Sequence, residues 1–414
     1  MRGAGELGVH ATGDPEIDFA AVMERMRRLR AGISRHDSAQ RFRELGVDVF
    51  LGEARFSGRD TVEVGGAVLR FKKAVIATGA RAATPPIEGL REAGFLTNET
   101  VFSLTGCPRR LAVIGGGPIG CELAQAFQRL GAQVTLFHNK SYVLDREDAD
   151  AAEVLQKRFV REGLRLVLDS RITGITRGGE GRTIRYQANG NTGTATVDEI
   201  MVAAGRAPNV EGLSLETAGV QYDLRDGVRV NDRLQTTNSR IYGCGDICLK
   251  WKFTHAADAA ARIVIQNALF LGRKKVSSLV IPWCTYTDPE IAHVGLTERQ
   301  ARERGIALDT FVQPMKDVDR SIADADTEGF VKVHARRGND RILGATIVAR
   351  HAGEMIGELT LAMASGIGLG KIANLIHPYP TQAEAVKRVA DAYNRTRLTP
   401  ALRRCFDRWL HWTR

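Results

Sequence analysis

LAVIGGGPIGCELAQAFQRLGAQVTLF, residues 111–137, is the stretch that decides the fold. The apolar run 111–114 reads as a buried strand, the apolar positions of 121–130 recur at helical spacing, and 133–137 is again strand-like. Strand, glycine turn, helix and strand make a βαβ unit. Gly115, Gly117 and Gly120 stand in the Gly-x-Gly-x-x-Gly spacing between that strand and helix, the context that turns a weak string into a dinucleotide fingerprint. Gly115 serves the tight turn, Gly117 lets backbone N–H groups approach a pyrophosphate, and Gly120 lets helix and strand pack closely. Gly116, Pro118 and Ile119 complete the loop, and the helix N-terminus favours the anion.

The next strand ends in Phe137-His138-Asn139-Lys140. An acid at this place would bond a ribose hydroxyl and repel a 2′-phosphate. None is present, and Lys140 and Arg146 lie close by, so the segment permits NADPH and favours it over NADH. His138 is an alternative ribose partner.

Outward from this unit, a helix (148–162), a strand (164–168), two hairpin strands about 189–191 and a strand (199–203) complete an α/β module bounded by Thr105 and Pro208. The chain before it reads as a helical hairpin (17–31 and 35–45), a meander of short strands (47–50, 54–56, 61–64, 68–71) and a run 74–77 ending at Thr78-Gly79. After it, 241–243 leads into GCGD and a helix over 256–271. From Pro282 onward, strands at 291–294, 330–334 and 342–348 with helices at 352–365 and 382–394 predict an α+β domain.

Among 414 residues, 58 Lys and Arg against 48 Asp and Glu give a net charge of +10, yet the basic residues are scattered among acidic ones. That distribution argues against a nucleic-acid partner and for a solvated surface with anionic cofactors. No run approaches the ~18 residues of a membrane span and no secretory leader is visible, so a cytoplasmic location is expected. The six cysteines are too sparse for a disulfide scaffold, Cys244 and Cys248 read as structural, and no metal site is expected. In the tail, Leu402, Phe406, Trp409 and Leu410 fall on one helical face among arginines. Such a stripe more often packs on its own protein than on a membrane surface.

ATGA (77–80), GGGPIGCELA (115–124), AAGRAPN (203–209), IYGCGD (241–246) and HPYPTQAE (377–384) occur in one order along the chain. Together they resemble the pyridine nucleotide-disulfide oxidoreductases, in the branch of mercuric reductases and lipoamide dehydrogenases. The resemblance implies an α/β fold: an FAD-binding Rossmann-like domain into which an NAD(P)-binding Rossmann-like domain is inserted, followed by an α+β dimerisation domain. On this chain those parts are expected at 1–105 and 209–278 for FAD, 106–208 for NAD(P), 279–396 for dimerisation and 397–414 for a basic tail. It further implies that Thr78, Gly79, Asp246, Lys252, Phe253, Thr254 and His255 lie against FAD, that Glu122 and Gly205 belong to the cofactor sites, and that the protein is a homodimer.

In related disulfide reductases the C-terminal motif carries a His paired with a Glu. Here that place resembles Tyr379, with His377 two residues earlier and Glu384 at the expected spacing. Tyr379 and Glu384 are therefore the candidate catalytic residues, and the tyrosine resembles the mercuric reductases. Two features depart from the family: its first flavin βαβ unit and its Cys-x4-Cys redox pair are not in this sequence, so the flavin fold is expected to be incomplete and N-terminally truncated. The expected activity is hydride transfer from NAD(P)H through FAD to a small-molecule thiol, disulfide or metal acceptor. The alternatives are a flavin diaphorase that reduces quinones or oxygen, and an inactive dinucleotide-binding remnant.

Overall fold

A computed structural model describes Gly8 and residues 16–413; expectations that fall on 1–7, 9–15 and 414 lie outside the described residues. The parallel sheet at the centre is built from Arg110–Ile114 flanked by Gln133–Phe137 and Glu199–Val202, with Arg165–Val167 at the edge. Its strands are apolar on both faces, as a sheet covered on both sides requires. The helices Pro118–Arg129 and Ala149–Arg161 bury Cys121, Phe127, Leu155 and Phe159 against one face. The other face packs against the three-stranded antiparallel sheet Ser170–Gly178, Gly181–Ala188 and Asn191–Val197 through Ile175, Ile184 and Tyr186.

The chain enters and leaves this module through one antiparallel pair, Ala80–Ala82 with Arg206–Pro208. Beyond that pair, Ala74–Ile76 runs parallel to Ile241–Gly243, and the helix Thr254–Leu269 follows. This is a two-stranded parallel sheet among the described residues, with the meander Ala54–Phe56, Thr61–Val64 and Ala67–Arg70 beside it. The expected strand at 47–50 forms no ladder. The helix Phe19–Ser34 is capped by Asp18 and buries Phe19 and Met23 against the module of the central parallel sheet, with Phe19 and Phe127 5.9 Å apart.

The last unit is a five-stranded antiparallel sheet, Pro282–Thr285, Glu290–Gly295, Ile342–Ala349, Phe330–Arg336 and Leu308–Pro314 in spatial order, under the helices Ala352–Ala364 and Glu384–Arg397. It is locked to the helix Pro118–Arg129: Gln125 exchanges two hydrogen bonds of 2.8 Å with the Asp288 backbone, and Arg129 pairs with Asp288 at 2.7 Å.

Candidate functional site

At the head of the helix Pro118–Arg129 the backbone leaves the strand at Gly115 with φ of +117°, where a Cβ would sit 2.3 Å from the Ala203 carbonyl oxygen. A Cβ on Gly120 would sit 1.9 Å from the Gly115 carbonyl oxygen. Gly117, at the N-cap, faces open space and receives no side-chain cap. The first N–H groups of the helix have no intrahelical partner, and with open space in front of Gly117 they are donors available to an anion such as a pyrophosphate. NAD(P)H fits these residues.

His138 is drawn into this turn and away from the surface. Its Nδ1 accepts the Gly116 N–H at 3.1 Å, so the neutral ring carries its proton on Nε2, 3.6 Å from Asp145. Burial pushes the imidazole below its usual range, in keeping with that tautomer. Asn139 and Lys140 are exposed at the strand end. Glu122 points to the C-terminal domain, where it accepts the Tyr286 N–H at 2.9 Å and burial pushes its carboxyl up.

On the other side of the linker, Gly79 adopts φ of +67° and its carbonyl oxygen accepts from Asn209 N, while Thr78 and Asn209 exchange bonds of 3.0 and 2.9 Å. Gly205 opens the return strand, and Arg206 donates to Ala80 O and pairs with Asp246 at 3.2 Å. Lys252 donates to the Asp246 carbonyl oxygen at 2.7 Å, which fixes the turn before the helix Thr254–Leu269. Phe253 is that helix's N-cap and offers no side-chain bond, so the first N–H groups are available to a ligand. The residues present thus suit the ring and ribityl end of FAD: a carboxylate at Asp246 and uncapped donors at a helix start. A glycine turn for the flavin pyrophosphate is not among the described residues.

Sequence reasoning missed what lies behind Phe253. Its ring stacks on His255 at 5.4 Å and on Trp283 at 6.4 Å, and Trp283 packs on His293 at 4.6 Å. The Trp283 indole N–H donates to Glu147, whose other oxygen lies 3.9 Å from His293 and has no hydrogen bond among the described residues. Burial pushes Glu147 up to about 7 and His293 down to about 4. Next to them Lys332, fully buried, reaches Asp148 at 2.8 Å, Asp150 at 2.7 Å and Glu298 at 3.6 Å. Asp148, Glu298 and His334 have ligand geometry, but the Lys332 ammonium supplies the cation that this acidic set needs.

In the C-terminal domain Tyr379 donates to Asp319 at 2.8 Å, which raises the phenol above its usual range, and Arg388 joins Asp319 at 3.2 Å to Glu384 at 3.0 Å. Tyr379 and Glu384 are thus linked through two residues that the motif did not single out. His377 instead pairs with Glu358 at 3.1 Å. The cysteines are all free, and burial pushes Cys248 up to about 12.

Residues 9–261 match the pyridine nucleotide-disulphide oxidoreductase family, and 281–390 match that family's dimerisation domain. The chain belongs to this family. Pyridine nucleotide-disulphide oxidoreductases are FAD- and NAD(P)H-dependent oxidoreductases. Among them, the mercuric reductase of Lysinibacillus sphaericus is 34% identical over 384 residues, covering 93% of this chain and 70% of that protein. The dihydrolipoyl dehydrogenase of Thermus scotoductus is 34% identical over 358 residues, 84% of this chain and 76% of its own. Of solved structures, the HOCl-induced flavoprotein disulfide reductase RclA of Escherichia coli superposes with a TM-score of 0.83 at 26% identity, covering 91% of this chain and 86% of that one. LpdA of Mycobacterium tuberculosis gives 0.84 at 27%, covering 95% and 86%. No described helix is long and apolar enough to cross a membrane.

Proposed function

We propose that this oxidoreductase binds NADPH in preference to NADH, passes its hydride to FAD, and delivers the electrons to a thiol, disulfide or metal acceptor at a site completed by a second copy. The observation that carries the reading is the glycine turn at 115–120, packed too closely at Gly115 and Gly120 to admit a Cβ and with open space in front of Gly117. Gly115 through Gly120 hold the pyrophosphate, and Lys140 faces the 2′-phosphate. Asp246 accepts from the ribityl chain, the N–H groups from Thr254 onward face the ring, and Lys252 and Thr78-Gly79 keep the two turns in place. FAD, when bound, supplies the two-electron chemistry, while the protein orients and shields it. Tyr379, with Asp319, Arg388 and Glu384 behind it, holds a proton for the acceptor on the partner's flavin. In this reading 106–208 is the NAD(P) domain and 279–396 the dimerisation domain.

A second reading, direct reduction of quinones or oxygen, is favoured by the thiols: Cys244 donates to Ala257 O and Cys248 to Gly245 O, both raised by burial and neither suited to exchange. The test is the visible spectrum of the purified chain with FAD, before and after NADPH or NADH under nitrogen. A flavin band bleached more readily by NADPH is the expected result; a protein that binds no flavin sinks both readings.

A further inference from the structure

The helix Pro400–Trp412 stands off the protein, with no buried residue along its 13 positions. The sequence favoured its packing on its own protein, but Leu402 is 40% exposed, Trp409 56% and Trp412 85%. At about 100° per residue, Leu402, Phe406, Trp409 and Leu410 share one face, which Trp412 widens. Arg403, Arg404, Asp407, Arg408 and His411 take the other. Thr399 caps the start through its bond to Leu402 N, and Pro400 stands in the first turn, so the helix is well formed without a partner surface.

We propose that this helix docks the protein on an anionic bilayer. A clean apolar face with tryptophans, bordered by arginines, is the arrangement of a helix lying in a membrane interface. Asp407 is its only acid against three arginines, and Arg395 and Arg397, also exposed, precede it, so the charge is complementary to acidic headgroups. With 13 residues it rises about 20 Å, too short to span and long enough to lie flat. Pairing with the same helix of a second copy is disfavoured, because Arg403 and Arg408 border the apolar face on its two sides and would meet their own kind.

The test is co-sedimentation of the full chain with vesicles of phosphatidylglycerol and phosphatidylcholine, and with phosphatidylcholine alone. Two variants accompany it: Arg403→Glu/Arg404→Glu/Arg408→Glu, and Phe406→Ser/Trp409→Ser/Trp412→Ser. All six side chains are exposed, so both variants should keep the wild-type melting curve. Binding is expected to the acidic vesicles only, to drop at least about tenfold in the charge-reversed variant and in high salt, and to vanish in the aromatic one. Binding that ignores lipid charge, or that survives loss of the aromatics, overturns the proposal. So does an absence of vesicle binding, including the case where deleting 398–414 splits a dimer in light scattering and the face thereby proves to cover a second copy.

Discussion

Two glycines of one loop make separable demands. Gly120 has no room, since its Cβ would meet the Gly115 carbonyl oxygen at 1.9 Å, whereas Gly117 has ordinary backbone angles and faces open space. Gly120→Ala should therefore lower the melting temperature by forcing helix and strand apart. Gly117→Ala should melt like the parent and bind nucleotide about tenfold more weakly, because its methyl group stands where the pyrophosphate approaches. Equal nucleotide affinity in Gly117→Ala would remove the turn from the cofactor site. Lys140 makes a different kind of demand, since its exposed ammonium can act only through charge. Lys140→Glu should raise KM for NADPH about tenfold and leave KM for NADH nearly unchanged; parallel changes would show that selection lies elsewhere. The glycines were legible from sequence because their chemistry is local. The role of His138 was not: that ring is fixed by the Gly116 N–H 22 residues away in sequence.

At the scale of elements, the βαβ unit was legible because both periodicities are strong within one short window. The four-residue strand Pro282–Thr285 and the three-residue linker pair Ala80–Ala82 with Arg206–Pro208, whose two halves lie far apart along the chain, were too short to carry a pattern, and Leu308–Pro314, mostly half-buried, neither alternates nor forms a continuous apolar run. The same distance hid the group at the start of the helix Ala149–Arg161, where Glu147 meets Trp283 and His293 of the C-terminal sheet. Charged neighbours there are Arg146, Asp148, His334 and Lys332. Glu147 is raised from 4.5 to about 7 on folding, so the folded state binds the extra proton and stability falls as pH rises through that window. His293 is lowered from 6.5 to about 4, so its contribution is lost as pH falls through its own window. The two slopes oppose each other across most of the range. Glu147→Gln keeps an acceptor for the indole and removes the first slope. Its unfolding free energy in chemical denaturation should match the parent's near pH 4.5 and exceed it by up to about 3 kcal/mol at pH 8. A difference that does not change with pH would mean that Glu147 is buried ionised.

Across the whole molecule, the C-terminal domain leaves Ile376, three residues before Tyr379, 98% exposed and Leu361 65% exposed. Both lie within the residues that match the dimerisation domain, where a second copy would cover them. If two copies join there, each site takes its nucleotide turn from one copy and Tyr379 from the other. That arrangement predicts complementation. Gly117→Ala and Tyr379→Phe should each be weakly active at low NADPH, yet subunit exchange in an equal mixture should restore about a quarter of parental activity. Half of the dimers are then mixed, and one of their two sites holds both intact parts. If Tyr379 served the site of its own chain, every mixed site would carry one defect and exchange would restore nothing. Ile376→Arg in both variants should abolish the recovery by keeping the copies apart, which ties the effect to this face.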